Sequence, residues 1–323
     1  MADQVNIAGA TSGNSVKLDN VVLDVYTKDI LFSAQPVLRF EGICKINTDL
    51  TAIPGNTIKF LRYAPLTGKS DIAETATVEA QSMSTSLVSI TVTEHVKAIQ
   101  VSEMLLRSSS VQTLENGATL LGQHYAKDRD RLLRDTLLTT TNVLYPNARV
   151  SRAGITASDF FNVNLIRDAA ELLATNKAPK INGDAYICFV NPHQGRYLRA
   201  DSAWINASNY GAPNQLFTGE IGRIEDVRFI ETTHITYIKK TTQDIWADSV
   251  DTLDNTAIAA NAVADVHQAI IVGDYAIGLA EALPVQMRDN GVLDYGRKHA
   301  LAYYGIWGAG LIETGHLAVL ETA

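Results

Sequence analysis

The chain has few of the features that mark secreted, disulfide-rich or membrane-spanning proteins. It has only two cysteines, Cys44 and Cys188, which lie far apart in apolar surroundings. Such cysteines suit reduced, buried side chains better than a disulfide framework or a metal site. No run of about 18 apolar residues is present, and the first residues lack the basic and then apolar pattern of a signal peptide. We therefore expect a protein of cytoplasmic origin with no membrane span.

Clusters of basic residues are also missing. The chain carries 27 basic and 35 acidic residues, a net charge of −8. A protein that grips DNA phosphates over a broad face normally has clustered Lys and Arg. The absence of such clusters excludes strong sequence-specific DNA binding but is compatible with weak contact with packaged DNA. With 323 residues, 46% of them hydrophobic, the chain is expected to be globular, as two domains or as one domain with large excursions.

One tripeptide, Gly68-Lys69-Ser70, imitates the end of a phosphate-binding loop. Such a loop needs a glycine five residues before its second glycine, because its backbone N–H groups wrap the phosphates. Tyr63 occupies that position, and Pro65 removes another N–H donor. A nucleotide-binding enzyme that uses Lys69 is therefore kept only as a minor alternative.

Other candidate sites have simpler structural interpretations. Asn191-Pro192-His193-Gln194 follows a buried strand but lacks a nucleophile with a plausible partner, so it is interpreted as a polar corner between strand and helix. Gly305–Gly310 has no following βαβ unit and is interpreted as a glycine-rich strand junction. The histidines lack the spacing of a helical zinc site. We expect no catalytic residue, no cofactor and no metal.

The first hundred residues predict an arm followed by a long hairpin. Residues 1–20 are small and polar, and 21–40 begin with a helical pattern that Pro36 interrupts. A period-two pattern then places Ile58, Phe60 and Leu61 on one strand face, with Thr57, Lys59 and Arg62 on the other. Residues 86–102 form a second alternating run. The polar connection between the runs is too long for an ordinary turn, so the hairpin should project from the body.

The rest of the chain predicts a long helix and then a mixed α+β body. The helix is expected over residues 108–142, with Ser110 as a possible cap, glycines at a kink or a close contact, and Pro146 after its end. Its charges from Lys127 to Asp135 alternate in sign, which is typical of a solvated or ion-paired face. A second helix is expected from Thr156 to Thr175 with Ser158 near its start, and residues 184–191 predict a buried strand.

Four stretches in this order carry a family resemblance. They are KAIQVSEMLLRSSS, LGQHYAKDRDRLLRDTLL, DAYICFVNPHQGRYLRADSAW and LFTGEIGRIEDVRFIETTHI. With the arm and hairpin before them, the chain resembles the major capsid proteins of tailed bacteriophages over residues 20–320. The resemblance implies an N-terminal arm at 1–54 and an extended hairpin loop at 55–98. It also implies a peripheral domain with the spine helix at 99–152, and an axial domain at 153–323 with strands that return to the peripheral domain.

The resemblance also implies a function in the virion. Family members form pentamers and hexamers that close an icosahedral shell around double-stranded DNA. Portal, scaffolding and decoration proteins are the implied partners, and the implied place of assembly is the host cytoplasm. A tail or decoration protein is the alternative within the virion. Some members cross-link the extended loop through Lys and Asn, but nothing in this sequence indicates that Lys69 is reactive.

Charged side chains on the hairpin and on the helix are the candidate contacts between subunits. A long polar hairpin gains no stability alone, which is explained if its contacts lie on another chain. Arginine also suits bidentate pairing across interfaces. The predicted contact residues are Arg62, Lys69, Asp71, Glu74, Arg129, Arg131 and Arg134.

Overall fold

A computed structural model describes ten stretches of the chain: residues 39–51, 55–63, 66–67, 80–108, 113–201, 220–224, 226–238, 245–247, 251–252 and 264–323. The described residues fall into two compact units. The helix unit contains those up to Gly42, together with Thr93–Asp135 and Ala282–Trp307. The sheet unit contains those within Ile43–Val92, Thr136–Glu281 and Gly308–Ala323.

Helices and strands are mixed along the described residues, which confirms the predicted α+β class. The α-helices are α1 (Glu103–Ser108), α2 (Thr113–Leu138), α3 (Val163–Thr175) and α4 (Pro192–Ala200). The strands are β1 (Lys45–Asn47), β2 (Thr57–Tyr63), β3 (Thr85–Thr91), β4 (Thr93–Ser102), β5 (Val143–Leu144), β6 (Tyr186–Val190), β7 (Glu220–Ile224), β8 (Val227–Glu231), β9 (Tyr237–Ile238), β10 (Ile245–Ala247), β11 (Asp251–Thr252), β12 (Val266–Val272), β13 (Ile277–Leu293), β14 (Lys298–Leu311) and β15 (Leu317–Thr322).

The helix unit is built around α2 and a pair of long strands. β4 pairs antiparallel with β14 over ten residues, from Lys298↔Ser102 to Trp307↔Thr93. α2 buries an apolar face in which Ala118, Leu121 and Tyr125 recur at spacings of three and four. A Cβ atom added at Gly117 would lie 3.9 Å from Cγ2 of Ile99, which is an ordinary van der Waals contact, so the space at this position does not require glycine. The predicted reason for this glycine, a kink or a close contact, stays a prediction.

The C-terminal end of α2 differs from the prediction. The helix ends at Leu138 and not at residue 142. Three threonines follow it, and the Thr139 hydroxyl donates to the Thr136 carbonyl at 2.6 Å. β-branched residues with hydroxyls that compete for backbone groups disfavour further helix. The chain can then enter β5, which pairs in parallel with β15. The proposed cap Ser110 lies outside the described residues.

The sheet unit is organised around the central strand β12. Its main sheet has the order β11-β10-β9-β12-β6-β8-β7, and β15 pairs with both β12 and β5. The contact of β12 with β15 is antiparallel over six residues, and every side chain of β15 is buried. α3 covers one face, with Leu165, Ile166 and Leu173 in the same apolar cluster as the sheet residue Phe229. This cluster is the core of the unit.

α3 begins later than predicted and uses a different cap. The Asn162 side chain accepts a hydrogen bond from the Leu165 backbone N–H, so the helix starts at Val163. Ser158 does not start it, because residues 156–159 form a turn. In that turn the buried Asp159 carboxylate accepts hydrogen bonds from the N–H and the hydroxyl of Thr156. The prediction placed the start in this turn because Ser and Asp also favour turns.

The strand at 184–191 and the corner after it agree with the sequence analysis. The strand is β6, and four of its five side chains are buried. Asn191 and Gln194 form a reciprocal capping box at the start of α4, with Pro192 in the first turn. The polar residues of the corner therefore begin a helix.

Two further expectations concern membrane-spanning helices and the state of the cysteines. In the described part of the chain, no helix combines the length and apolar character that crossing a membrane requires. Both cysteines are thiols outside any disulfide, Cys188 buried and Cys44 half-buried. Burial also raises the pKa of the Cys188 thiol, so this side chain behaves as a small apolar residue.

Candidate functional site

The hairpin predicted from the period-two pattern is formed by β2 and β3. Seven antiparallel pairs run from Thr57↔Thr91 at the base to Tyr63↔Thr85. Beyond the strands, Gln81 accepts from the Thr67 N–H at 3.2 Å and donates to the Thr67 hydroxyl at 3.1 Å. The two sides of the hairpin therefore stay linked after the regular pairing ends.

One face of the hairpin packs against the rest of the sheet unit. Ile58 and Ile90 are directly opposite each other and buried, and they pack with Ala280. At Gly308, an added Cβ atom would lie 2.2 Å from the Thr91 carbonyl oxygen. Only glycine permits β14 to approach the hairpin base this closely, since real Cβ atoms essentially never come so near another heavy atom.

The opposite face of the hairpin is apolar and exposed. Leu61 and Leu87 are a cross-strand pair and are 52% and 59% exposed. Tyr63, two residues along the same face, is 59% exposed. Aromatic and aliphatic cross-strand neighbours of this kind usually pack together on a covered face. We call Leu61, Tyr63 and Leu87 the outer stripe; none of them is buried by any residue of the described chain.

The structure corrects the predicted faces of β2. Alternation along the strand puts Arg62 on the face of Ile58 and Leu61 on the face of Lys59, whereas the sequence analysis had assigned these two the other way round. The Arg62 guanidinium pairs with Glu313 at 2.6 Å, and its side chain remains 53% exposed. Arg62 thus has an ion-pair partner within its own chain.

Some of the charged residues on α2 are buried and form ion pairs, which agrees with the ion-paired alternative of the prediction. Arg129 and Asp130 are 4% and 0% exposed. The Arg129 guanidinium donates to Glu41 at 2.6 Å and to the Tyr125 hydroxyl at 2.8 Å. One Asp130 carboxylate oxygen accepts from the backbone N–H groups of Arg39 and Phe40 at 2.9 and 3.0 Å. These contacts hold residues 39–41 against α2 within the helix unit.

Arg131 and Arg134 share a carboxylate. Arg134 is 3% exposed and donates to Asp135 at 2.8 Å, while the half-exposed Arg131 lies 3.6 Å from the same residue. Little of the surface of Arg129 or Arg134 is left for another chain, whereas Arg131 retains accessible surface. Contact of these three residues with another subunit stays a prediction.

A second polar network joins α2 to the strands of the helix unit. His95 donates from Nδ1 to the Asp128 carboxylate at 3.1 Å and stacks on Trp307 with ring centroids 4.3 Å apart. Burial opposes ionisation of Asp128, but the hydrogen bond and charge of His95 outweigh it and lower the pKa of this carboxyl. On the next turn, His124 bonds the Tyr303 hydroxyl at 2.9 Å. These contacts position α2 against β4 and β14.

Three of the predicted contact residues, Lys69, Asp71 and Glu74, lie outside the described residues. The outer stripe was missed by the sequence analysis, although the exact pairing of β2 with β3 would have revealed it. Asp130 was missed because nothing in an alternating charge run distinguishes a buried carboxylate from a solvated one. In the described ranges, no cluster of three His, Cys, Asp or Glu residues could hold a metal ion.

Comparison with known proteins identifies the family. A family model described as phage capsid protein matches residues 135–312, more than half of the chain. The chain belongs to the phage capsid protein family. It is a major capsid protein, a structural protein of the virion that self-associates into the capsid shell. The comparison with curated protein sequences gave no match.

Solved capsid structures share the fold of this capsid protein. The capsid of Ralstonia phage GP4 has a TM-score of 0.68 and 16% identity, with 87% of each chain covered. The capsid of cyanophage Pam1 also has a TM-score of 0.68 and 16% identity, over 100% of this chain and 99% of that chain. The head of Helicobacter pylori phage KHP40 has a TM-score of 0.64 and 15% identity, over 98% and 96%. The predicted tailed-phage capsid fold is confirmed.

Proposed function

We propose that this capsid protein assembles as pentamers and hexamers that close an icosahedral shell around double-stranded DNA. The observation that carries the proposal is the outer stripe of the hairpin, Leu61, Tyr63 and Leu87. A two-stranded hairpin is marginally stable at best in water, and a contiguous exposed apolar patch marks an interaction surface. A neighbouring subunit would cover the stripe in the shell.

We infer that the two faces of the hairpin contact different subunits. Ile58 and Ile90 attach the base to the subunit's own core, and the Arg62–Glu313 ion pair lies on the same side. The outer stripe remains for the next subunit, so we propose that each hairpin is anchored in one subunit and lies on another.

We further propose that the helix unit is the peripheral domain and the sheet unit the axial domain. α2 supplies the spine of the peripheral domain, and the strand segments within Ala282–Trp307 return to it after the long excursion through the sheet unit. Residues 1–54 would form the N-terminal arm, and the hairpin of β2 and β3 would be the extended loop predicted at 55–98. Residues 93–98 of that range belong to β4, which pairs with β14.

The proposed partners follow from the same role. Portal, scaffolding and decoration proteins would bind the shell, and assembly would take place in the host cytoplasm. Contact with packaged DNA would be weak and non-specific, because the net charge of −8 gives no broad attraction for phosphates. We propose no enzymatic activity and no cofactor.

Negative-stain microscopy and light scattering of the purified chain test the proposal. Closed shells and megadalton particles are expected, either with the chain alone or with a scaffolding protein. Rings, tubes or trimers would favour a tail or decoration protein instead. A chain that stays monomeric under all assembly conditions, with its partners present, would contradict a shell function.

Charge reversal on the hairpin gives a narrower prediction. Lys69→Glu combined with Asp71→Lys should lower the temperature at which assembled shells dissociate, while unassembled subunits keep their unfolding midpoint. The reason is that the hairpin charges would meet a neighbour and not the subunit's own core. Scanning calorimetry of shells and of subunits measures the two midpoints. An equal loss in isolated subunits would contradict an intersubunit role.

Glu313→Gln serves as the comparison for this experiment. It removes the partner of Arg62 within the chain without changing the residues at 69 and 71. We expect Glu313→Gln to affect the subunit and the shell alike, by at most about 1 kcal/mol, because the Arg62 side of the pair is 53% exposed.

A further inference from the structure

Five aromatic rings form a column in the sheet unit, and two histidines are at its centre. His193 on α4 stacks on His267 of β12 with centroids 4.1 Å apart and ring planes 17° apart. Tyr237 of β9 stacks on the other side of His267 at 5.3 Å. Beyond His193 the column continues through Tyr197 at 5.1 Å to Phe160, which stacks on Tyr197 at 4.2 Å.

We propose that the His193–His267 stack is an acid-sensitive latch, which holds α4 on the central strand β12 while both imidazoles are neutral and loosens it when they are protonated. This inference does not depend on the intersubunit role of the hairpin. It concerns a conformational response of the axial part of the subunit to pH.

The surroundings of the two rings favour the neutral state. Nδ1 of His193 and Nδ1 of His267 are both buried, and neither has a hydrogen-bond partner among the described residues. A proton added to either atom would therefore find no acceptor, and a buried donor without an acceptor is costly. Two imidazolium rings at this separation would also repel each other directly.

The charged groups near the stack do not compensate for this cost. Arg196 on α4 adds a positive charge, while Asp265 at the start of β12 is the acidic group that favours protonation. Glu321, on the neighbouring strand β15, is already engaged by Arg152 and by the Gln268 amide. Tyr197 and Tyr237 complete the titratable groups in the column.

Burial, with the neighbouring charges, lowers the pKa of both histidines. For His267 burial is the main cause, followed by repulsion from His193, and together they lower its pKa to about 4. For His193 burial and then Arg196 lower the pKa. A histidine whose pKa is lower in the folded state stabilises the fold above its unfolded pKa of about 6.5, and this contribution is lost as the pH falls toward the folded value.

A second attachment of α4 does not titrate. The Gln194 side-chain amide donates to the His267 carbonyl at 3.1 Å and to the Thr322 hydroxyl at 3.0 Å. Because these two hydrogen bonds persist in acid, we expect protonation of the histidines to loosen α4 without detaching it from the sheet. The latch would make the axial part of the subunit more deformable at low pH.

The test compares the pH dependence of unfolding in unassembled full-length subunits. For the wild type, the unfolding equilibrium constant should rise by up to about tenfold per pH unit per histidine between pH ~6.5 and ~4. The double variant His193→Phe/His267→Phe keeps two stacked rings that cannot titrate, so its slope should be lower by one to two protons. Tyr197→Phe, which keeps both histidines and the ring contacts of residue 197, should keep the wild-type slope.

A double variant with the wild-type slope would overturn the proposal. If that variant does not fold, hydrogen–deuterium exchange of the wild-type chain at pH 7 and pH 4.5, corrected for intrinsic exchange rates, decides the question. Protection of residues 192–200 should fall by at least about tenfold more than protection of residues 163–175. Equal changes in the two helices would overturn the latch.

Discussion

The double substitution Leu61→Lys/Leu87→Glu is expected to abolish shell assembly while the subunit still folds. Both leucines are more than half exposed in the subunit, so replacing them removes little apolar contact within the chain. Because the two residues are directly opposite each other, the new Lys and Glu can pair across the strands and preserve the hairpin. The substitution thus isolates the intersubunit contribution of the outer stripe.

The expected loss of assembly is large because the outer stripe would make the same contact in every subunit of the shell. Truncating a central interface residue commonly costs about 2 kcal/mol or more, which is roughly a thirtyfold loss of affinity. Every subunit of a shell would lose the same contact. The variant should therefore fail to assemble even at protein concentrations well above the lowest concentration at which the wild type assembles. Burying two charges against an apolar surface would add to the loss.

Light scattering and electron microscopy measure assembly, and circular dichroism with size-exclusion chromatography checks the subunit. Leu61→Val/Leu87→Val is the matched control, because it keeps an apolar stripe of β-branched residues and should still form shells. Wild-type shell yields from the Lys/Glu variant would show that the outer stripe is not an intersubunit contact.

Asp130→Ala is expected to destabilise the unassembled subunit by on the order of 3 kcal/mol. The carboxylate is fully buried and accepts the backbone N–H groups of Arg39 and Phe40. Alanine would leave the N–H of the buried Phe40 and the less buried N–H of Arg39 without this acceptor, and the loss at a buried donor costs about 1–3 kcal/mol. Phe40, which is fully buried, would lose its anchor on α2.

Equilibrium denaturation of subunits gives the free energy of unfolding. Asp130→Asn should fall between the wild type and the alanine variant, since both N–H groups bond the same oxygen and an amide oxygen can replace it. Lys127→Ala, an exposed position on the same helix, should change the free energy by less than about 0.5 kcal/mol. A similarly small effect of Asp130→Ala would contradict the anchoring role of this carboxylate.

Local patterns predicted the elements better than their ends or their faces. The hairpin strands followed from period-two alternation, and α2 followed from apolar residues at spacings of three and four. The end of α2 at Leu138 and the cap at Asn162 were missed, because Thr, Ser and Asp have several alternative uses of their side chains near helix termini. The faces of Leu61 and Arg62 were exchanged, because the prediction grouped the adjacent apolar residues Phe60 and Leu61, whereas neighbouring residues of a strand lie on opposite faces.

The β2–β3 hairpin was predicted from the sequence, and its contacts with another subunit stay a prediction. The sequence indicated a hairpin that contacts another chain, and the capsid family is confirmed. It indicated charged contacts, however, and the structure adds an apolar stripe on the hairpin. Among the arginines of α2, it gave no sign that Arg129 and Arg134 are buried while Arg131 is half-exposed.

Composition and periodicity were enough for the α+β class, the hairpin and the long helix, because these depend on interactions between residues close in sequence. The capsid family came from the resemblance of four ordered stretches. Tertiary structure alone decided which charges are buried and which apolar side chains are left uncovered. It also brought His193 against His267, 74 residues apart in the sequence. Burial and long-range pairing arise when distant segments pack, and one segment read alone contains no information about its partner.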